Sequence, residues 1–148
     1  VFVFVFFGVV ATAGTTYVLV DDLTGLSLWA SVAVGAWACA LLVVNNLRDI
    51  PTDRVAGKRT LAVRIGDRST RGLYIFLLVA AFALVAAMGL GGRPWAALGL
   101  AGIALAIKPV RTIAGGALGG ALIPVLGGTG KVQLVTGLLA AAGVAVGG

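Results

Sequence analysis

Two aspartates, Asp49 and Asp53, stand four residues apart where a long apolar run ends and a basic segment begins. On a helix this spacing puts both carboxylates on one face, together with Asn45. Pro51 lies between them and predicts a kink, which still allows the two carboxylates to converge on one point. Two such carboxylates repel each other unless a cation lies between them, and magnesium commonly takes oxygen ligands from one or two carboxylates and from substrate phosphates. The pattern therefore favours a magnesium–diphosphate site.

Basic side chains follow the aspartates closely. Seven of the 11 Lys and Arg residues lie between residues 48 and 71. Arg54, Lys58, Arg59 and Arg64 suit the phosphate charge that a metal leaves uncompensated. Metal and cations together would stabilise a leaving diphosphate electrostatically.

A purely structural interpretation of the same residues stays open at this point. Asp49 and Asp53 would then be helix-end charges paired with Arg48 and Arg54, and the basic run would determine topology beside anionic lipid. The D-x-x-x-D spacing alone does not decide between the two, because it arises by chance in many charged segments.

The rest of the chain is lipid-soluble. Of its 148 residues, 60% are hydrophobic and 11% charged, against roughly 25% charged residues in soluble domains. Its 23 glycines allow membrane helices to approach closely. We therefore expect an all-α integral membrane protein, a multi-helix bundle with about five spans. The net charge of +6 is a local patch and does not indicate nucleic acid. With no histidine and a single cysteine, zinc and haem sites are not predicted.

Hydropathy and length divide the chain into five spans and one polar loop. The predicted spans are residues 1–20, 26–44, 73–90, 95–107 and 132–146. The polar and basic segment 45–72 is expected to be the extended soluble loop. Residues 108–131 hold many glycines and two prolines, which predicts a loop with a re-entrant or interfacial piece around residues 118–126.

The distribution of Lys and Arg orients these spans. Loop 45–72 carries seven of them and should be cytoplasmic in the plasma membrane of a prokaryote. Lys108, Arg111 and Lys131 then fall on the same side, and no span interior carries a charge. The chain opens at Val1 inside an apolar run, which we interpret as a fragment that lacks its N-terminal part.

The sequence motif of the aspartate segment closely resembles that of one protein family. Residues 45–61 read N-N-x-R-D-x-x-x-D-x-x-x-G-K-x-T-L, a pattern similar to the second aspartate-rich motif of UbiA-type membrane prenyltransferases. Within that family the pattern is most like the menaquinone-pathway branch, the 1,4-dihydroxy-2-naphthoate polyprenyltransferases. Residues 6–17 and 122–130 resemble the same branch, so the resemblance covers nearly the whole chain.

The resemblance implies an all-helical fold, with nine spans around a cavity open to the bilayer. The chain matches spans five to nine and lacks the first aspartate-rich motif. Asp49 and Asp53 would bind Mg²⁺ and diphosphate, while Lys58 and Arg59 would contact the diphosphate.

Other residues receive lesser roles from the same resemblance. Asn45, Asn46 and Arg48 would shape the site. Tyr17 would face the substrate cavity, although an interfacial tyrosine at a span end explains it equally well. Arg64, Arg68 and Arg71 are expected to form a solvated or lipid-facing basic face.

The function implied is transfer of a polyprenyl group from polyprenyl diphosphate to 1,4-dihydroxy-2-naphthoate, giving demethylmenaquinone. Without the missing N-terminal half the chain is expected to be inactive, and a separately made N-terminal half is a candidate partner. Two alternatives remain: the same donor chemistry with another aromatic or lipid acceptor, and a fragment of a non-enzymatic membrane transporter.

Overall fold

The computed structural model describes residues 1–147, which fold into five helical segments. They are Phe4–Val20 (α1), Gly25–Val55 (α2), Leu61–Leu90 (α3), Pro94–Ala114 (α4) and Gly119–Val146 (α5). Helices α2 to α5 are each long and apolar enough to cross a membrane, and α1 is a shorter apolar helix. No strand occurs in residues 1–147. The predicted all-α membrane bundle is confirmed.

Helix α2 lies at the centre of the bundle. It packs against α1, α3 and α5, while α4 packs against α3 and α5. The buried side chains of α2 recur every three or four residues, the spacing of a single helix face. They include Ala33, Ala36, Trp37, Ala40, Val44, Leu47 and Ile50.

Glycines allow neighbouring helices to approach closely. A Cβ on Gly8 of α1 would lie 2.6 Å from the carbonyl oxygen of Ser31 in α2. A Cβ on Gly99 of α4 would lie 3.0 Å from the Cβ of Ala140 in α5. Because lipid provides no hydrophobic drive between helices, such backbone approach is a main source of packing energy in a membrane bundle.

The segment 45–72 is not an extended loop. Helix α2 continues to Val55 and α3 begins at Leu61, so in this segment only residues 56–60 and Gly66 are non-helical; Gly66, with φ +82° and ψ 172°, kinks α3. Leu47 and Ile50 are buried and prolong the packed face of α2 past Asn45, while Pro51 is accommodated inside the helix. Packing against the bundle thus overrides the polar composition of this segment.

Local residue types set the ends of α2 and α3. The Thr24 and Thr60 hydroxyls accept hydrogen bonds from the amides of Ser27 and Val63 and cap the two helices. Gly57 has φ +70° in the turn between the helices, a conformation that favours glycine.

The glycine-rich region also differs from expectation. Only residues 115–118 are non-helical there, and α5 is one helix from Gly119 to Val146. Pro124 falls in the first turn of its α-helical part, where proline is tolerated, and Gly128 packs against Pro109. Lys131 therefore lies inside α5, and Lys108 lies inside α4. The expectation that no span interior carries a charge was wrong for these two helices.

Candidate functional site

The polar end of α2 gathers four of the predicted site residues on one side. At 3.6 residues per turn, Asn45, Asn46, Asp49 and Asp53 fall within an arc of about 100°. The helix is unbroken across all four, so Asp49 and Asp53 are separated by about 6 Å along its axis. The two carboxylates thus occupy successive turns of one helix face.

Arg48 holds the first carboxylate by two hydrogen bonds. Its Nε donates to Asp49 Oδ1 at 2.7 Å and its Nη2 donates to Oδ2 at 3.0 Å. Both side chains are about one-third exposed, at 30% and 32%. Such a fork is the strongest geometry for an Arg–carboxylate pair, yet its partial exposure leaves both partners accessible to an incoming anion or cation.

The second carboxylate, Asp53, is buried and pairs with an exposed lysine. Asp53 is 6% exposed, and Lys58 Nζ lies 3.2 Å from its Oδ1. The Lys58 side chain is itself 65% exposed. The amide of Lys58 donates to the carbonyl oxygen of Asp53 at 2.9 Å, so the turn after α2 brings the lysine back over the aspartate.

These residues fit a magnesium ion that shares its ligands with a phosphate. Residues 1–147 contain no cluster of three or more His, Cys, Asp or Glu side chains that could hold a metal alone. Magnesium is usually bound by one or two carboxylates, and substrate phosphates and water complete its shell. Asp49 and Asp53 supply that number of carboxylates, and Arg48 and Lys58 supply cations for the phosphates.

Three other predicted residues surround this end of α2. Asn46 lines a cavity of about 270 Å³ between α2 and α3. Asn45 is half-buried on the same helix, and Arg59 is exposed in the turn before α3. The structure thus brings seven of the eight predicted site residues to one end of the bundle.

Tyr17 lies at the opposite end. Residues Thr12 and Thr16 of α1 share a cavity with Thr24 and Ser27 at the start of α2, whereas Asp49 is 24 residues further along α2, or about 36 Å. Tyr17 is 51% exposed and precedes the end of α1 by three residues. This location matches the interfacial-tyrosine interpretation, and the structure does not join Tyr17 to the aspartates.

One important side chain was misjudged from the sequence. Arg71 was expected on an exposed basic face, but its side chain is only 11% exposed. Its Nε and Nη2 donate hydrogen bonds to the Asp67 carboxylate at 2.6 and 2.8 Å. Its guanidinium also donates to the carbonyl oxygens of Ile113, at 2.7 Å, and Ala117, at 2.9 Å. The Asp67–Arg71 spacing of four residues was a visible signal; the carbonyl partners were not.

A membrane-level cavity of about 460 Å³ adjoins the same helix. Residues of α1, α2, α3 and α5 line it, mostly with Ala, Val and Leu side chains. Trp37 contributes from the middle of α2, and Thr12 and Ser27 contribute hydroxyls towards the far end. An apolar space of this kind suits an extended hydrocarbon chain.

Comparison with known proteins gives a consistent result. The model of the UbiA prenyltransferase family matches residues 1–116. The chain is 46% identical over 145 residues to the 1,4-dihydroxy-2-naphthoate octaprenyltransferase of Mycobacterium tuberculosis, covering 98% of this chain and 49% of that protein. It is 34% identical over 144 residues to the enzyme of the same name from Escherichia coli, covering 96% of this chain and 47% of that protein. The chain thus spans about half the length of these relatives. No solved structure matches it significantly.

Proposed function

This chain belongs to the UbiA prenyltransferase family, and from that premise we propose that it forms the C-terminal half of an enzyme that prenylates 1,4-dihydroxy-2-naphthoate. The donor is a polyprenyl diphosphate, and the product is the hydroquinone form of demethylmenaquinone, released together with diphosphate and carbon dioxide. The observation that carries the proposal is the buried Asp53 paired with the exposed Lys58, one turn from Asp49, in a chain 46% identical to a dihydroxynaphthoate octaprenyltransferase.

The aspartates and the cations of this site have different roles: the aspartates bind the metal and the cations bind the diphosphate. Asp49 and Asp53 would hold Mg²⁺, which would supply positive charge to the diphosphate as it leaves. Lys58 is largely exposed, so it turns from Asp53 to a phosphate oxygen at little cost in packing. Arg48 likewise exchanges its two hydrogen bonds to Asp49 for two to a phosphate, because a phosphate accepts two parallel hydrogen bonds as a carboxylate does. Arg59 adds a further cation from the turn.

Different parts of the bundle bind the diphosphate and the prenyl chain of the donor. The diphosphate stays at the polar end of α2, and the prenyl chain lies along the apolar cavity beside Trp37. Asn45 offers an amide group on the aspartate side of α2, whereas Asn46 lines the separate cavity between α2 and α3. The carbon–oxygen bond of the allylic diphosphate ionises, and the aromatic ring carbon that bears the carboxylate attacks the resulting carbocation to form a carbon–carbon bond. The ring carboxylate then leaves as carbon dioxide.

We also propose that the turn at residues 56–60 faces the cytoplasm of a prokaryotic cell. Two Lys and Arg residues lie in this turn and five more flank it between residues 48 and 71, as expected for a cytoplasmic segment. Arg71 joins α3 to the carbonyl groups at the end of α4, so residues 115–118 lie on the same side. A missing N-terminal half would bring the first aspartate-rich motif to this side.

Prenyl transfer in isolated membranes tests the proposal. The chain is expressed alone and together with the N-terminal half of the M. tuberculosis relative, and supplied with polyprenyl diphosphate, Mg²⁺ and dihydroxynaphthoate. Activity is expected only in the paired sample. A paired sample that prenylates another aromatic acid and ignores dihydroxynaphthoate would shift the acceptor assignment. A folded but inactive pair would contradict the proposed function.

A further inference from the structure

A second basic site lies between α4 and α5, away from the aspartates. Lys108 of α4 and Lys131 of α5 line one cleft of about 540 Å³. Leu105, Pro109 and Val125 supply apolar walls, and Gly127 leaves part of the α5 surface open. The cleft therefore combines two cations with a hydrocarbon surface.

Neither lysine has a carboxylate partner within residues 1–147. Of the five aspartates in the chain, Asp49 pairs with Arg48, Asp53 with Lys58 and Asp67 with Arg71. The other two stand between α1 and α2, at the opposite end of the bundle. The positive charge of the cleft is thus not neutralised by the acidic side chains of residues 1–147.

Both lysines lie inside helices that are apolar enough to cross a membrane. Lys108 precedes the end of α4 by six residues, or about 9 Å, and a lysine stem reaches the headgroup level from such a depth. Neighbouring side chains expose hydrocarbon outward: Ile107 is 47% exposed and Leu134 is 61% exposed. Uncompensated charge is costly at this level unless an anion accompanies it.

We propose that this cleft binds an anionic phospholipid. Its phosphate lies between Lys108 and Lys131, and an acyl chain packs against Leu105 and Val125. Basic pockets between membrane helices on the cytoplasmic side are suited to such headgroups. The two lysines match the lipid phosphate and the apolar walls match its acyl chain, so a lipid fits this cleft. The inference does not depend on the proposed prenyl transfer.

Native mass spectrometry of the chain, in detergent and in complex with the complementary N-terminal half, tests this site. The chain is titrated with phosphatidylglycerol and, separately, with phosphatidylcholine of the same acyl chains. We expect retention of phosphatidylglycerol and about thirtyfold weaker binding in the Lys108→Gln/Lys131→Gln double variant, from the loss of two lysine–phosphate attractions. The Arg64→Gln/Arg68→Gln double variant removes the same charge from exposed positions of α3 and should retain the lipid.

A second variant leaves the lysines in place. Gly127 has open space around it, so Gly127→Leu fills the cleft and should also lose phosphatidylglycerol. Gly130→Leu is its control on the same helix, because Gly130 has open space as well and does not line the cleft. Circular dichroism verifies that each variant is folded.

Three results would overturn the proposal. The first is equal retention of phosphatidylglycerol and phosphatidylcholine. The second is an equal loss of lipid in the Arg64/Arg68 control, which would indicate non-specific attraction. The third is displacement of the lipid by dihydroxynaphthoate at micromolar concentration, which would assign the cleft to an aromatic carboxylate.

Discussion

Two ion pairs follow one another along the basic segment, and they bury opposite partners. In the pair between Asp53 and Lys58, the carboxylate is buried and the cation is 65% exposed. In the pair between Asp67 and Arg71, the cation is 11% exposed and the carboxylate is 47% exposed. Both pairs join an aspartate to a cation four or five residues later.

The difference lies in what else each cation contacts. Arg71 also binds two backbone carbonyls, 42 and 46 residues further along the chain, so it fixes α3 to the end of α4. Lys58 has no such second set of partners in the described residues, and its exposure allows it to leave Asp53 for a ligand. The first pair is thus suited to exchange partners, whereas the second is an anchor.

The largest effect on stability is expected from removing the anchor. Arg71→Met leaves the Ile113 and Ala117 carbonyls without their charged donor, and it should lower the free energy of unfolding by about 3 kcal/mol. Arg68→Met, at an exposed neighbouring position, is the control and should change stability little. Thermal unfolding in detergent measures both. Equal melting temperatures for the two variants would show that Arg71 is not an anchor.

A second anchor should show a smaller and asymmetric effect. Tyr74 and Thr129 are fully buried and their hydroxyls are 2.8 Å apart. Since Thr129 donates to the Val125 carbonyl, the Tyr74 hydroxyl is the donor between them. Thr129→Val strands that donor and should cost about 2 kcal/mol, whereas Tyr74→Phe removes it and should cost about 1 kcal/mol. The same melting assay applies, and the reverse order would contradict this assignment of donor and acceptor.

Removing the exchangeable cation, Lys58, should weaken ligand binding more than it lowers stability. Lys58→Ala should weaken the magnesium-dependent binding of a non-hydrolysable prenyl diphosphate to the paired complex about tenfold. Its melting temperature should fall by less than that of Arg71→Met, because the Lys58 side chain is 65% exposed and its removal strands a single carboxylate. Arg68→Ala, at an exposed position of α3, is the matched control. Unchanged affinity together with a lowered melting temperature would make Lys58 a structural residue.

Local patterns were sufficient for the fold class and for the placement of the aspartates. Long apolar runs predicted the helical membrane bundle, and the spacing of Asp49 and Asp53 placed both on one helix face. The sequence motif of residues 45–61 predicted the family, and this prediction is confirmed. Each of these signals is carried by residues that are close together in the chain.

Features that depend on distant contacts were not predictable in this way. The partners of Arg71 are more than 40 residues away, and no periodicity indicates them. Helix α5 includes Gly127 and Gly128 because α4 packs against it, although their composition is typical of a loop. Pro51 and its polar neighbours likewise suggested a loop, while burial of Leu47 and Ile50 keeps α2 helical.

Comparing Asp53→Asn with Asp67→Asn in the prenyl-transfer assay tests the central distinction most directly. Both substitutions remove one negative charge from an ion pair of the basic segment, and both are measured in the complex with the complementary N-terminal half at saturating Mg²⁺. We predict a loss of at least about a hundredfold in kcat for Asp53→Asn, because in the proposed site it removes one of the two carboxylates that would hold the metal at the departing diphosphate. Asp67→Asn should retain most activity and lower the melting temperature. Full activity in Asp53→Asn, or equal losses in the two variants, would contradict the account.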